Sequence, residues 1–170
     1  MMDLEKDKSG QLSPVEYKAL YEIGRVIIQV HDSETALREI VRLARPAFIF
    51  DNIILYESLE KESLEPTYAR SVGRGRSAEA DMEWGEKIAR EVILSEDVVS
   101  KLEQLEGNQG VVIDARLNQR YYLGLPLDTG NEVSKALIFI RFGGPPYLDE
   151  QIKFAKLIAE HVEELLLRNH

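Results

Sequence analysis

The sequence of 170 residues contains no cysteine. This absence excludes disulfide bonds, thiolate metal sites, thiol catalysis and thioether-linked cofactors. Basic residues are also in the minority, because 21 lysines and arginines stand against 30 acidic residues, for a formal net charge of -9. Phosphate neutralisation needs clustered Lys and Arg, so this charge argues against a nucleic-acid partner and against an anionic membrane surface.

Long hydrophobic runs are missing as well. No stretch approaches the roughly 18 consecutive apolar residues of a membrane-spanning helix, and the polar start MMDLEKDKSG is not a signal peptide. We therefore expect a cytoplasmic protein, or a cytoplasmic piece of a larger one. The length fits one domain, predicted at residues 13–170 behind a disordered or frayed arm at residues 1–12.

The stretch from Tyr121 to Phe142 predicts two strands joined by a turn at Gly130-Asn131. Residues 121–123 and 136–140 are continuously apolar rather than alternating. A strand that is apolar on both sides needs cover on both faces. We therefore expect this hairpin to form the centre of a sheet that lies between helical layers.

The remaining elements are predicted from hydrophobic periodicity and from capping and breaker residues. They are, in chain order, helices at 14–30 and 33–45, strands at 48–56 and 65–72, a broadly helical acidic segment at 77–106, a short strand at 111–113, and a helix at 149–168.

In this order the elements resemble a GAF domain. The local matches are Leu123-Gly124-Leu125-Pro126-Leu127, Ala136-Leu137-Ile138-Phe139, the phrase WGEKIAREV and the closing helix. The resemblance implies an α+β fold, an α/β/α sandwich with a central antiparallel sheet of five to six strands. It places the terminal helices on one face of the sheet and a helical or loop lid over a cavity on the other.

The resemblance also implies where a ligand would bind, between the sheet and the segment from Ser77 to Leu105. The predicted lining comes from one alternation of the strands and from the inner face of that segment: Tyr56, Tyr68, Arg70, Trp84, Ile88, Val92, Tyr122 and Phe139. Aromatic rings with one cation would hold a flat or anionic ligand, with Arg70 as the charged fork. The alternative interpretation is that these aromatic side chains fill the cavity themselves.

The two terminal helices have apolar arcs wider than one packing partner needs. We therefore predict a homodimer through these helices. The predicted interface residues are Leu20, Gly24, Ile27, Ala155, Ala159, Val162 and Leu166.

Little in the sequence indicates a catalytic function. His31, His161 and His170 have no metal-ligand spacing with one another, and neither a Ser-His-Asp order nor a nucleophile elbow is present. GAF-type photoreceptors attach a bilin to cysteine, and GAF-fold methionine sulfoxide reductases use cysteine chemistry, so neither activity fits this chain. We predict no catalytic residue, no metal and no cofactor, and hence not an enzyme.

The function that the resemblance implies is that of a regulatory sensory module in signal transduction. An unknown small molecule would bind between sheet and lid, and the dimerising terminal helices would pass the change to an output domain in the full-length protein. Neither nucleic acid nor membrane is an expected partner. The alternative is a structural dimerisation domain with a collapsed, ligand-free pocket, since every predicted lining residue is bulky.

Overall fold

A computed structural model of the chain describes residues 11–60, 63–73, 82–104, 119–130 and 134–168. The helices are α1 (Pro14–Gln29), α2 (Ser33–Ala44), α3 (Met82–Ser95) and α4 (Asp149–Arg168). The strands are β1 (Asn52–Glu60), β2 (Ser63–Ser71), β3 (Val99–Gln104), β4 (Gln119–Leu127) and β5 (Ser134–Phe142). Most of the predicted N-terminal arm and the strand predicted at 111–113 lie outside the described residues.

The five strands form one antiparallel sheet in the order β2-β1-β5-β4-β3. Strand β5 is central, since Ile138 pairs with Gly124 of β4 on one side and with Ile54 of β1 on the other. The prediction that β4 and β5 form the middle of the sheet is confirmed.

Each face of the sheet is covered by helices. Leu137 and Phe139 of β5 belong to the apolar cluster under α1, α2 and α4, while Ala136 and Ile138 belong to the cluster under α3. Successive residues of a strand point to opposite faces, so a continuously apolar run supplies both clusters at once. The predicted α+β sandwich, with terminal helices on one face and a helical segment on the other, is confirmed.

The first two helices begin where their capping residues predict. Ser13 and Glu16 form a reciprocal capping box at α1, with nitrogen-to-oxygen distances of 2.8 and 3.2 Å. Asp32 caps α2 by accepting from the hydroxyl of Thr35 at 2.6 Å and from its backbone N–H at 3.0 Å. These hydrogen bonds lower the pKa of Asp32, because they favour its ionised form.

Residues 96–104 of the acidic segment are not helical, which corrects the prediction for that part. Helix α3 ends at Ser95, and Glu96 has a φ of 54° that a right-handed helix does not allow. Residues 99–104 then pair with β4 as the edge strand β3. The pairing satisfies backbone groups along one side of the segment, so the neighbouring strand overrides its local helical preference.

Strand β1 begins later than predicted, at Asn52 instead of Phe48. The backbone N–H of Phe48 still bonds to the carbonyl of Ala44, as in a turn that follows a helix. Asp51 then joins three strands. Its N–H donates to Ile140, its carboxylate accepts from the N–H of Phe142 at 2.8 Å, and its carbonyl accepts from Val72.

Candidate functional site

Helix α3 packs on the sheet face where the resemblance implies a ligand cavity. Tyr56, Ile88, Val92 and Tyr122 are all buried in the cluster beneath this helix, so the structure brings together four of the predicted pocket residues. Trp84 belongs to α3, but its side chain lies outside the described part of the structure.

Two glycines bring α3 very close to the sheet. A Cβ built on Gly85 of α3 would lie 2.5 Å from the hydroxyl oxygen of Tyr56. A Cβ built on Gly124 of β4 would lie 2.6 Å from Cγ2 of Val92 and 3.0 Å from Cγ2 of Ile88. Since real Cβ atoms do not approach other atoms this closely, the protein's own side chains fill the space at both points.

A polar group that the sequence prediction omitted lies on the same face. Arg120 is fully buried, and its guanidinium carbon is 5.6 Å from the centroid of the Phe142 ring. Tyr122, two residues along β4, and the fully buried Asn52 of β1 share that face. Alternation with Tyr122 was the sequence signal that would have found Arg120. A mostly apolar wall with a few buried polar groups is the usual composition of a small-molecule site.

Three predicted pocket residues lie on the opposite side of the sheet, which corrects their assignment. Phe139 belongs to the cluster under the terminal helices and is fully buried there. Tyr68 and Arg70 pair with Leu55 and Ile53, whose side chains belong to that same cluster. The side-chain period of a strand is two, so the face of each residue depends on the parity of its position.

Tyr68 and Arg70 instead line a cleft of about 600 Å³ between α2, the two-stranded edge of the sheet and the end of α4. Arg38 and Leu37 of α2 and Leu166 of α4 also line this cleft. Burial raises the pKa of Tyr68, while the charges of Arg70 and Arg38 oppose that shift. The cleft thus combines a half-buried phenol with two guanidinium groups.

The predicted dimer residues are mostly part of the monomer's own core, which is a second correction. Ile27 of α1 and Ala155, Ala159 and Val162 of α4 are buried, because α4 packs both on the sheet and against α1. The three others, Leu20, Gly24 and Leu166, are half-buried.

Helix α1 does expose apolar side chains, but they are not the predicted interface residues. Tyr17, Tyr21 and Ile28 are 56%, 68% and 66% exposed and follow one another on one line along the helix, which we call the outer stripe. The buried side of the same helix carries Ala19 and Ile23. Helix α1 therefore has more apolar surface than its own chain covers, as predicted. The residues that form this surface are not those predicted for the interface.

Within residues 11–60, 63–73, 82–104, 119–130 and 134–168, no three His, Asp or Glu side chains are grouped as metal ligands would be. None of the helices in these ranges has the length and the apolar character that crossing a bilayer requires. His161 packs over α1, where a Cβ on Gly24 would meet its Cε1 atom at 3.6 Å.

Neither a protein-family model nor a curated protein matches the sequence. Solved structures match it clearly. The GAF domain from an Acinetobacter phosphoenolpyruvate-protein phosphotransferase has a TM-score of 0.62 at 14% identity, over 91% of this chain and 94% of that one. The GAF domain/HD domain protein from Geobacter sulfurreducens has a TM-score of 0.53 at 13% identity, over 84% and 97%. The chain has a GAF-like fold.

The GAF-like fold is also found in an enzyme among these neighbours. Free methionine-R-sulfoxide reductase from Neisseria meningitidis, in complex with its substrate, has a TM-score of 0.64 at 10% identity, over 91% of this chain and 89% of that one. The prediction that this chain is not an enzyme is therefore wrong as an inference from its fold, since a GAF-like fold carries catalysis in that protein. What the sequence does exclude is narrower, namely thiol chemistry, because it contains no cysteine.

Proposed function

We propose that the chain is a regulatory sensory module of a signal-transduction protein, formed by one domain over residues 13–170. In this proposal a small molecule binds on the sheet face beneath α3, next to Arg120 and Tyr122. The terminal helices of two copies pair and carry the change to an output domain elsewhere in the full-length protein. The observation that carries the proposal is the outer stripe of α1, an exposed apolar surface on a helix that packs against α2 and α4.

A second copy of the chain is the occupant that best fits the outer stripe. Lys18 and Arg25 lie exposed on α1, and Glu160 and Glu164 lie exposed on α4, which packs beside it. A two-fold axis next to the outer stripe would bring the basic side of each α1 toward the acidic side of the partner's α4. The burial of aromatic side chains would supply the affinity, and the charges would set the orientation.

We expect a substitution in the outer stripe to convert the dimer to a monomer. Tyr21→Glu places a charge in the proposed interface but leaves the monomer's core untouched, since Tyr21 is 68% exposed. Sedimentation equilibrium at high micromolar concentration should show a dimer for the unmodified chain and a monomer for this variant.

The matched control for Tyr21→Glu is Leu94→Glu. Leu94 is 85% exposed on α3, so the substitution adds the same charge to another exposed apolar residue, and it should leave the dimer intact. An unmodified chain that sediments as a monomer at high micromolar concentration would contradict the dimer, and so would equal effects of the two variants.

The close packing at Gly85 and Gly124 favours a second candidate function, a structural dimerisation domain whose pocket is filled by its own side chains. A thermal-stability screen against nucleotides, amino acids, organic acids and tetrapyrroles separates the two. A ligand present at a hundred times its dissociation constant should add about 2.7 kcal/mol to the free energy of unfolding. Stabilisation that Arg120→Gln or Tyr122→Phe abolishes would support the sensory module. A screen without any stabilising compound would support the structural domain.

A further inference from the structure

A smaller cleft of about 310 Å³ continues the larger one along α2 and β2, and Arg38 and Arg70 line both. Its polar lining consists of four arginines, Arg38, Arg42, Arg45 and Arg70, and one acidic residue, Glu39. We call it the basic cleft. In a chain with a formal net charge of -9, this local excess of positive charge runs against the overall balance.

The arginines are gathered by one helix and one strand. Arg38, Arg42 and Arg45 are four and three residues apart, which places them on one side of α2. Arg70 faces the same helix from β2, because its partner Ile53 in β1 points into the cluster under the terminal helices. The helix and the edge strand therefore bring guanidinium groups to the cleft from two sides.

Two of the four arginines are held by partners of their own. Arg42 donates to a carboxylate oxygen of Glu39 through Nη2 at 2.7 Å and through Nε at 3.0 Å. Arg45 donates to the backbone carbonyl of Phe50, and its guanidinium lies 5.6 Å from the centroid of that ring. They contribute a fixed positive field at the end of the basic cleft, which the charge of Glu39 partly offsets.

The other two arginines are held less tightly. Arg38 lies 3.9 Å from Glu34 in an ion pair that is exposed on both sides, and such pairs contribute little. Arg70 is exposed, and its charge helps to lower the pKa of the neighbouring Tyr68 hydroxyl against the effect of burial. Both side chains can therefore turn their guanidinium groups toward a bound molecule at a small cost in free energy.

The geometry points to a binding site in the basic cleft for a small molecule with two or more negative charges, carried by phosphate or carboxylate groups. Arginine forks match the oxygen geometry of both groups, and Arg38 and Arg70 would bind them from opposite walls. A volume of about 310 Å³ lies at the lower end of the range for small-molecule sites. The site is on the terminal-helix side of the sheet, away from α3, so it goes beyond the proposed function.

Isothermal titration calorimetry of the 170-residue chain with pyrophosphate and with citrate, at constant ionic strength, tests the site. We expect saturable binding of one molecule per chain by at least one of the two probes, and the comparison tells phosphate from carboxylate preference. Arg38→Gln and Arg70→Gln should each weaken the affinity about tenfold or more, and tenfold corresponds to about 1.4 kcal/mol. Arg70→Lys keeps the charge without the fork and should lose only part of the affinity.

The control is Arg90→Gln on α3, an exposed arginine that is paired with Glu86 at 2.8 Å, four residues before it, just as Arg38 is paired with Glu34. It removes one positive charge, as Arg38→Gln and Arg70→Gln do, but lies outside the basic cleft, so the affinity should stay within twofold. Thermal midpoints of all variants show that each is folded. The inference is overturned if neither probe binds, if Arg38→Gln and Arg70→Gln bind as the unmodified chain does, or if Arg90→Gln weakens binding as strongly as they do. None of these outcomes depends on the oligomeric state.

Discussion

Replacing Phe48 by alanine is expected to lower the free energy of unfolding by about 3–5 kcal/mol. Phe48 is fully buried, and its ring is 4.9 Å from that of Phe139 in an edge contact and 5.4 Å from that of Tyr147 in a stacked one. A third ring, that of Phe154 in α4, lies at 6.2 Å. The alanine would leave a cavity where the sheet, α4 and the loop before α4 meet, and rings held by several elements close such a cavity poorly.

Urea denaturation followed by circular dichroism measures this loss. Phe48→Leu keeps most of the buried volume and should cost clearly less. Ile49→Ala is the neighbouring control, because Ile49 is 50% exposed and should change stability by about 1 kcal/mol or less. If Phe48→Ala costs no more than Ile49→Ala, then the aromatic cluster does not hold the helices to the sheet as described.

Replacing Gly124 by alanine is expected to lower the free energy of unfolding by about 1–3 kcal/mol, because the new methyl group has no space. It would meet Cγ2 of Val92 at 2.6 Å and Cδ1 of Ile138 at 3.0 Å, and both side chains are fully buried. Chemical denaturation of the variant measures the loss. The measured loss also bears on function. If a ligand pocket were open between α3 and β4, it would accept this methyl group without a loss of stability.

The second substitution in this test is Val92→Ala, which removes the nearest clashing group. The double variant should be more stable than the sum of the two single changes predicts, by about 0.5 kcal/mol or more. Gly24→Ala serves as the matched control, because its methyl group would lie at an ordinary 3.6 Å from His161 and alanine favours a helix. A neutral Gly124→Ala would contradict the close packing and favour an open ligand pocket.

The candidate sites show why the sequence predicts the sheet face correctly for only some of the pocket residues. Tyr56 and Tyr122 lie on the predicted face of the sheet, whereas Phe139 and Tyr68 lie on the other. In a strand that is apolar on both sides, nothing in the composition tells one alternation from the other, and a shift of one residue exchanges the faces. The register between strands decides it, and the register is a property of the assembled sheet.

The basic cleft also depends on the tertiary structure. The spacing of Arg38, Arg42 and Arg45 is visible in the sequence as one side of a helix, and such a stripe is usually a solvated surface. What makes it a cleft is Arg70, which approaches from a strand about thirty residues further along the chain. Only the packing of β2 beside α2 brings these charges together.

The sequence by itself determined the elements whose signals are local. These are the capped starts of α1 and α2 and the strands β4 and β5, which are apolar on both faces. It also determined the order of elements that resembles a GAF domain. Only the tertiary structure decided that residues 99–104 form a strand, that most of the apolar arc of α4 is internal, and that α1 keeps an exposed stripe. The reason is physical. Caps and periodicity act within a few residues, whereas edge pairing and burial depend on which distant surface lies alongside.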